Sequence, residues 1–234
     1  MMIMSNKFLC IDTTSEFCSV SLFQDNNLIE FQNSIIERSH SKLLILIIDE
    51  ILKKSKTKIS EIDAFSISKG PGSYTGLRIG LSSLKGFCFG LNKPLISINT
   101  LKVLSKSALN HINDKSSILC PMVDARRMEV FTKLYDYQLN SLSDDKSLVL
   151  DENSFSLYND KEIYFFGNGS DKFEKIVKRK NFTFIKHIMP DSRFMGDITS
   201  EKYNLNQFED LSTFEPNYIK DFYLIKKKGK WMRS

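Results

Sequence analysis

The chain has 234 residues, of which 41% are hydrophobic and 26% charged, with a formal net charge of +5. This is the balance of a globular protein whose core needs no disulfide or metal staple. The longest unbroken apolar run, Leu43 to Ile48, excludes a membrane-spanning helix, and the small positive excess permits weak contact with a polyanion without demanding it. The four cysteines, at 10, 18, 88 and 120, form no C-x-x-C pair. They read as buried thiols of a reducing compartment, not as a zinc site or disulfides. With no cleavable signal pattern at the start, the expected location is cytoplasmic.

In chain order, Phe8 to Ile11 is a continuous apolar run ending in Asp12-Thr13-Thr14-Ser15, which suits a strand buried on both faces with a polar turn at its end. Cys18, Val20 and Leu22 alternate with serines and predict a second strand, buried on one side only. Asp25-Asn26-Asn27 is a turn, and Leu28 to Ile36 supplies a third strand. Ser39 is an N-cap candidate for a helix to Lys54. Its apolar stripe is 43, 44, 47, 48, 51 and 52, but Ile45 and Leu46 lie outside it, so the helix is expected to be covered on two sides. Ala64 to Ser68 is a strand, parallel to the first by crossover logic.

Gly70-Pro71-Gly72 then leads into a second helix, to Leu91, carrying Gly76, Gly80, Gly86 and Gly90. Each glycine costs a helix about 1 kcal/mol against alanine. At about 100° per residue, these glycines and Ser83 share one face, while Leu77, Leu81, Leu84, Cys88 and Leu91 share an adjacent one. The leucine face reads as core and the smooth face as a docking surface for another helix. The turn is not a Walker loop, because the Gly-Lys-Ser/Thr ending is absent.

Pro94 to Ile98 is a fifth strand and Thr100 to Asn110 a helix. Ile118 to Val123 begins a second unit with a strand ending at Asp124-Ala125-Arg126-Arg127. Met128 to Tyr137 is strand-like, Leu148 to Leu150 a short strand, Ile163 to Phe166 another, and Asp171 to Lys178 a short helix. Residues 186–213 are polar and read as irregular. Lys226-Lys227-Lys228-Gly229-Lys230 reads as a solvated tail, with weak contact to a polyanion's phosphates as its rival reading. Asp124 to Glu129 fits a local ion-pair turn.

Several of these segments together resemble the bacterial TsaB (YeaZ) family: Asp12 to Ser15, Arg38-Ser39-His40-Ser41, Gly70 to Gly86, Asp124 to Phe131, Gly167-Asn168-Gly169 and Glu215-Pro216-Asn217-Tyr218-Ile219. The resemblance implies an actin-like ATPase (ribonuclease H-like) α/β fold of two lobes, each a mixed sheet flanked by helices. The expected division is residues 1–108 and 109–234, with the C-terminal segment packing back on lobe one. It implies an accessory, non-catalytic subunit in the formation of threonylcarbamoyladenosine at position 37 of tRNAs reading ANN codons. The implied partners are the catalytic paralogue TsaD, the small ATPase TsaE and, in their absence, a second copy of the chain, with tRNA met only through the complex. The implied interface lies on the two helices of lobe one: His40, Leu43, Leu44, Ile47, Tyr74, Gly76, Leu77, Ile79, Gly80, Ser83 and Phe87. Leu43, Leu44 and Ile47 are its expected apolar anchors, and Arg78 is expected at its edge, pairing with a partner's carboxylate.

Asp12, Thr13, Thr14 and Ser15 are the candidate nucleotide-proximal residues, although Thr14 stands where phosphate loops of this fold carry glycine. For Asp124 to Glu129 the resemblance implies a contact near the cleft between the lobes, which stands level with the ion-pair turn. Gly167-Asn168-Gly169 reads as a turn or as the remnant of a second-lobe nucleotide loop. No intrinsic cofactor is expected; ATP or ADP with magnesium is assigned to the interface of the complex. The paralogue's metal-binding H-x-x-x-H pair has no counterpart, because the matching stretch Thr100 to Leu104 contains no histidine. The rival readings are a stand-alone small-molecule kinase of the same fold, a peptidase, and direct tRNA binding.

Overall fold

Alternation along the first strand organises lobe one. In β1 (Lys7–Asp12), Leu9 and Ile11 enter the cluster beneath the first two helices, while Phe8 and Cys10 enter a second cluster on the opposite face of the sheet. All four are fully buried, each side chain contributing about 1.5–3 kcal/mol by leaving water. The computed structural model describes residues 5–35, 40–158 and 160–219; Ser39, the side chain of His40 and the lysine-rich tail lie outside the described residues.

β1 pairs antiparallel with β2 (Phe17–Gln24), which pairs antiparallel with β3 (Asn27–Ile35). Contrary to expectation β2 is not one-sided, because Ser19 and Ser21 are buried too, hydrogen-bonded to Ser192. On its other side β1 runs parallel to β4 (Ala64–Ser68), and β4 parallel to β5 (Leu95–Ile98), giving the order β3-β2-β1-β4-β5. α1 (His40–Lys54) and α2 (Tyr74–Leu91) cover one face; α3 (Thr100–Ala108) follows β5.

Lobe two repeats the plan. β6 (Ile118–Asp124) pairs antiparallel with β7 (Glu129–Thr132), which pairs antiparallel with β8 (Lys146–Val149). β6 also runs parallel to β9 (Ile163–Phe166), and β9 to β10 (Phe182–Ile185). The order β8-β7-β6-β9-β10 matches lobe one strand for strand. α4 (Ser170–Glu174) packs on this sheet, and α5 (Gly196–Asn204) crosses back to β1 and β5.

Three further expectations are corrected. The strand expected over Met128 to Tyr137 stops at Thr132, and Tyr135 makes only an isolated bridge to Leu119. The register that pairs Met122 with Thr132 sets Pro121 opposite Lys133, where proline has no N–H for the ladder. The stretch 186–213 is not wholly irregular, because α5 lies in it. That helix starts at Gly196 without a side-chain cap, so it carries no start signal; burial of Ile198 and Thr199 holds it, with Thr199 donating to Ser66 at 2.9 Å. β10 was likewise not foreseen.

The third correction concerns the glycine face. An ideal Cβ on Gly76 would sit 1.9 Å from the carbonyl oxygen of Thr13, and one on Gly80 would sit 2.4 Å from Thr13 Oγ1. The backbone that approaches α2 is therefore the chain's own β1–β2 turn, and Gly76 and Gly80 are closed to a partner. Gly86 and Gly90, by contrast, have nothing within 4 Å of an added Cβ. Gly76→Ala should destabilise by about 1–3 kcal/mol, as overpacking does. Gly86→Ala should stabilise by about 0.5–1 kcal/mol. Denaturant titration of both variants beside the parent checks the opposite signs.

Candidate functional site

α1 and α2 lie in contact, α1 on β2 and β3 and α2 on β4. The start of α2 is fixed by three hydrogen bonds. The Ser73 hydroxyl accepts from the Gly76 N–H at 3.2 Å, the Ser73 N–H donates to Thr14 O at 2.7 Å, and the Thr13 hydroxyl donates to Gly76 O at 2.8 Å. The helix ends where Asn92 turns left-handed, φ 51.

Within this pair, several expected interface residues are placed inside the lobe. Leu44, Ile47 and Leu77 are buried in the core beneath the helices. Their apolar surface is already spent, so they are not anchors for a partner. Leu43, Ile79 and Phe87 are half-buried at the rim of the same core, with Phe87 stacked on Phe65 at 5.7 Å. Ser83 is also half-buried. Tyr74 packs against Tyr218 at 5.1 Å and beneath the Arg78 guanidinium at 4.0 Å, while Arg78 Nε donates to Tyr218 OH at 3.4 Å. Arg78 is thus held by the C-terminal segment of its own chain.

The apolar side chains left in water are others: Ile45 (44% exposed) and Leu46 (59%) on α1, and Phe89 (85%) on α2. Ile45 and Leu46 were legible as the second apolar side of α1, the side this chain leaves uncovered. Phe89 falls on neither predicted face, so nothing in the helical pattern marked it.

The Asp12–Ser15 turn is filled, not open. Asp12, Thr13 and Thr14 are buried. Asp12 Oδ1 accepts from both the N–H and the hydroxyl of Thr14, at 2.9 and 2.8 Å. Asp12 Oδ2 is buried without a hydrogen bond, since the nearby Ser68 hydroxyl is directed at Met195 Sδ. Burial pushes the Asp12 carboxyl above its ordinary value, and the two hydrogen bonds from Thr14 offset only part of that. A phosphate cradle needs free amides and hydroxyls. Here the donors of Thr14 are spent on Asp12, the hydroxyl of Thr13 on α2 and that of Ser15 on Phe17 of its own turn, so these side chains form no open phosphate cradle.

In lobe two, Asp124 pairs with Lys172 of α4 at 2.6 Å, and Lys172 Nζ also donates to the carbonyls of Arg127 and Glu129. Asn168 Oδ1 accepts from the Asp124 N–H at 2.9 Å, so Gly167-Asn168-Gly169 is a turn stitching β9 to β6. Among the described residues, no group of three His, Cys, Asp or Glu side chains is placed to hold a metal ion. The four cysteines are free and buried, and burial pushes their thiols up to about 12.

The raised Asp12 gives a signed test. Its contribution to stability is full below the ordinary carboxylate range and is lost as pH rises through its folded value. Asp12→Asn keeps the Oδ1 acceptor and removes the titration. The variant should therefore gain on the parent progressively from about pH 4 upward. Unfolding curves across pH check this; a difference that does not vary with pH would show an ordinary ionised carboxylate.

The family model for TsaD, tRNA N6-adenosine threonylcarbamoyltransferase, matches residues 31–222. A tRNA threonylcarbamoyladenosine biosynthesis protein TsaB from Buchnera aphidicola (subspecies Baizongia pistaciae) is 30% identical over 227 residues, covering 93% of this chain and all of that protein. TsaB of Bacillus subtilis is 25% identical over 236 residues, covering 97% of this chain and 98% of that one. A crystal structure described as an uncharacterized Pseudomonas aeruginosa protein with similarity to peptidase YEAZ superposes with a TM-score of 0.78. It is 20% identical and covers 92% of this chain and all of that one. That likeness shows the two-lobed fold that the resemblance implies. With the family model matched over more than half its length and a TsaB protein aligned across nearly all of it, the chain belongs to the TsaD family and, within it, to the TsaB (YeaZ) proteins.

Proposed function

We propose that this protein is the accessory subunit of a tRNA threonylcarbamoyladenosine machinery. It holds and activates a catalytic subunit of the TsaD type and does not itself transfer the threonylcarbamoyl group. The observation that carries the reading is that both helices leave apolar side chains in water beside a complete core, Ile45 and Leu46 on α1 and Phe89 on α2. Exposed apolar groups on packed helices are what a partner's helices cover. The match of this chain to the TsaD model supports a paralogue as that partner, because two chains of one fold can present equivalent helix pairs to each other. In the partner's absence, a second copy of this chain occupies the same patch, so homodimer and heterodimer compete. TsaE joins the assembled pair.

The closed β1–β2 turn supports an accessory role over a stand-alone kinase. In this reading, the nucleotide and magnesium that serve the threonylcarbamoyl transfer sit with the partner or between subunits. Among the described residues, no helix is long and apolar enough to cross a membrane.

Leu46→Glu is the direct test, with TsaD and TsaE from the same source. Leu46 is exposed, so the change should alter the folding stability of the isolated chain by no more than about 0.5 kcal/mol. It should weaken association with TsaD by about 2 kcal/mol or more, the scale of an interface hot spot, and reduce threonylcarbamoyladenosine formation in parallel. Association by calorimetry and modified nucleoside in tRNA by mass spectrometry give the two readouts. Undiminished pairing and undiminished modification would overturn the proposal.

A further inference from the structure

Away from the α1/α2 face, a cavity of about 390 Å³ opens where the ends of β4 and β5, the first turn of α3, α5 and the β7–β8 connection of lobe two meet. Four lysines line it, Lys69, Lys102, Lys133 and Lys202. Lys133 Nζ lies 3.0 Å from Asp145 Oδ1, at an angle outside hydrogen-bonding directions. The other oxygen of Asp145 accepts from the side-chain amides of Asn99 and Asn217. That carboxylate is thus consumed in tying lobe two to lobe one and to the C-terminal segment. Lys69, Lys102 and Lys202 come from three different elements, are half-buried, and have no ion-pair partner among the described residues.

Burial, and after it the charges of Lys69 and Lys102, hold Lys202 below its usual range even though Glu209 and Glu201 act in the opposite direction. Glu209 is itself engaged by the Ser97 hydroxyl, and Asp144 stands exposed at the rim. Convergence of like charges in a concavity is unfavourable unless an anion bridges them.

We propose that this pocket binds the phosphate groups of a compact, multiply charged anion: a diphosphate moiety, free or carried on a nucleotide. Three ammonium groups from three directions can each donate charge-assisted hydrogen bonds to a different phosphate oxygen. The partial positive charge at the start of α3 adds to the field. A nucleic-acid backbone is disfavoured, because it requires basic groups spread along an open surface. Here they line one concavity, with Asp144 at its rim and Glu209 close enough to act on Lys202. The site needs no partner subunit, so its failure would leave the accessory role standing.

Calorimetry of the full chain at low salt, with inorganic pyrophosphate and with ATP as separate probes, tests the site. The parent should bind in a saturable way, and Lys102→Met and Lys202→Met should each weaken binding about tenfold or more, the scale of one charge-assisted hydrogen bond. Equal losses for both probes identify the diphosphate moiety itself as the ligand; binding and loss with ATP alone identify a nucleotide. Lys186→Met, at a lysine paired with Asp171 and Glu174 on lobe two, should change nothing. In the free protein, Lys202→Met should also raise the thermal midpoint by removing the repulsion, an effect opposite to that of losing a structural contact. Absence of saturable binding to either probe would overturn the proposal. So would equal binding by all variants, an equal loss in Lys186→Met, or lysine-dependent binding seen only with tRNA.

Discussion

The seat of Thr13 against α2 is the constraint on which the rest of lobe one depends. The carbonyl of Thr13 occupies the space that a side chain at position 76 would need, and its hydroxyl occupies the space at position 80. This close approach does three things at once. It fixes the start of α2 against the end of β1 and closes the β1–β2 turn. It also sets the rotation of α2, so that Leu77, Leu81 and Leu84 face the sheet while Gly86, Phe89 and Gly90 face water. Two helix-weakening residues are retained because the packing they allow outweighs about 1 kcal/mol of helix propensity at each.

The two lobes share one strand order, yet neither keeps an open ligand turn where its first two strands meet. In lobe one the turn is filled by its own threonines around a buried carboxyl. In lobe two the equivalent turn is strapped to α4 by Lys172. A fold whose turns are occupied by its own side chains has its remaining recognition chemistry on the outside: an apolar face on α1 and α2, and a cationic pocket at the junction of the lobes.

Much of this was legible in the residues, because strong periodicity survives folding. The first three strands, α1 and α2, β4 to β6 and β9 follow from apolar runs and turn residues. Six motifs spread along the chain indicated the family. The elements that escaped prediction are those that tertiary contact makes. α5 has neither cap nor stripe and is held by Ile198 and Thr199, and β7 is cut short by a proline on the neighbouring strand. The site was read less well than the fold for one reason. A smooth helical face has the same sequence signature whether the backbone that approaches it belongs to a partner or to the same chain. Sequence spacing placed Gly76, Gly80, Leu44 and Ile47 on the right faces but could not say that Thr13 and the core already occupy them. Ile45 and Leu46, outside the core stripe, led to the expectation that α1 is covered on two sides; within this chain that second side is exposed.

The claim that the outer face of α1 and α2 is the partner surface is tested most directly by amide hydrogen exchange of this chain, alone and saturated with its TsaD-type partner. The account predicts slowed exchange on complex formation in the segments around 43–50 and 82–91, with the already closed turn at 12–15 unchanged. Slowed exchange confined to other surfaces, with both helices exchanging as in the free chain, would contradict it.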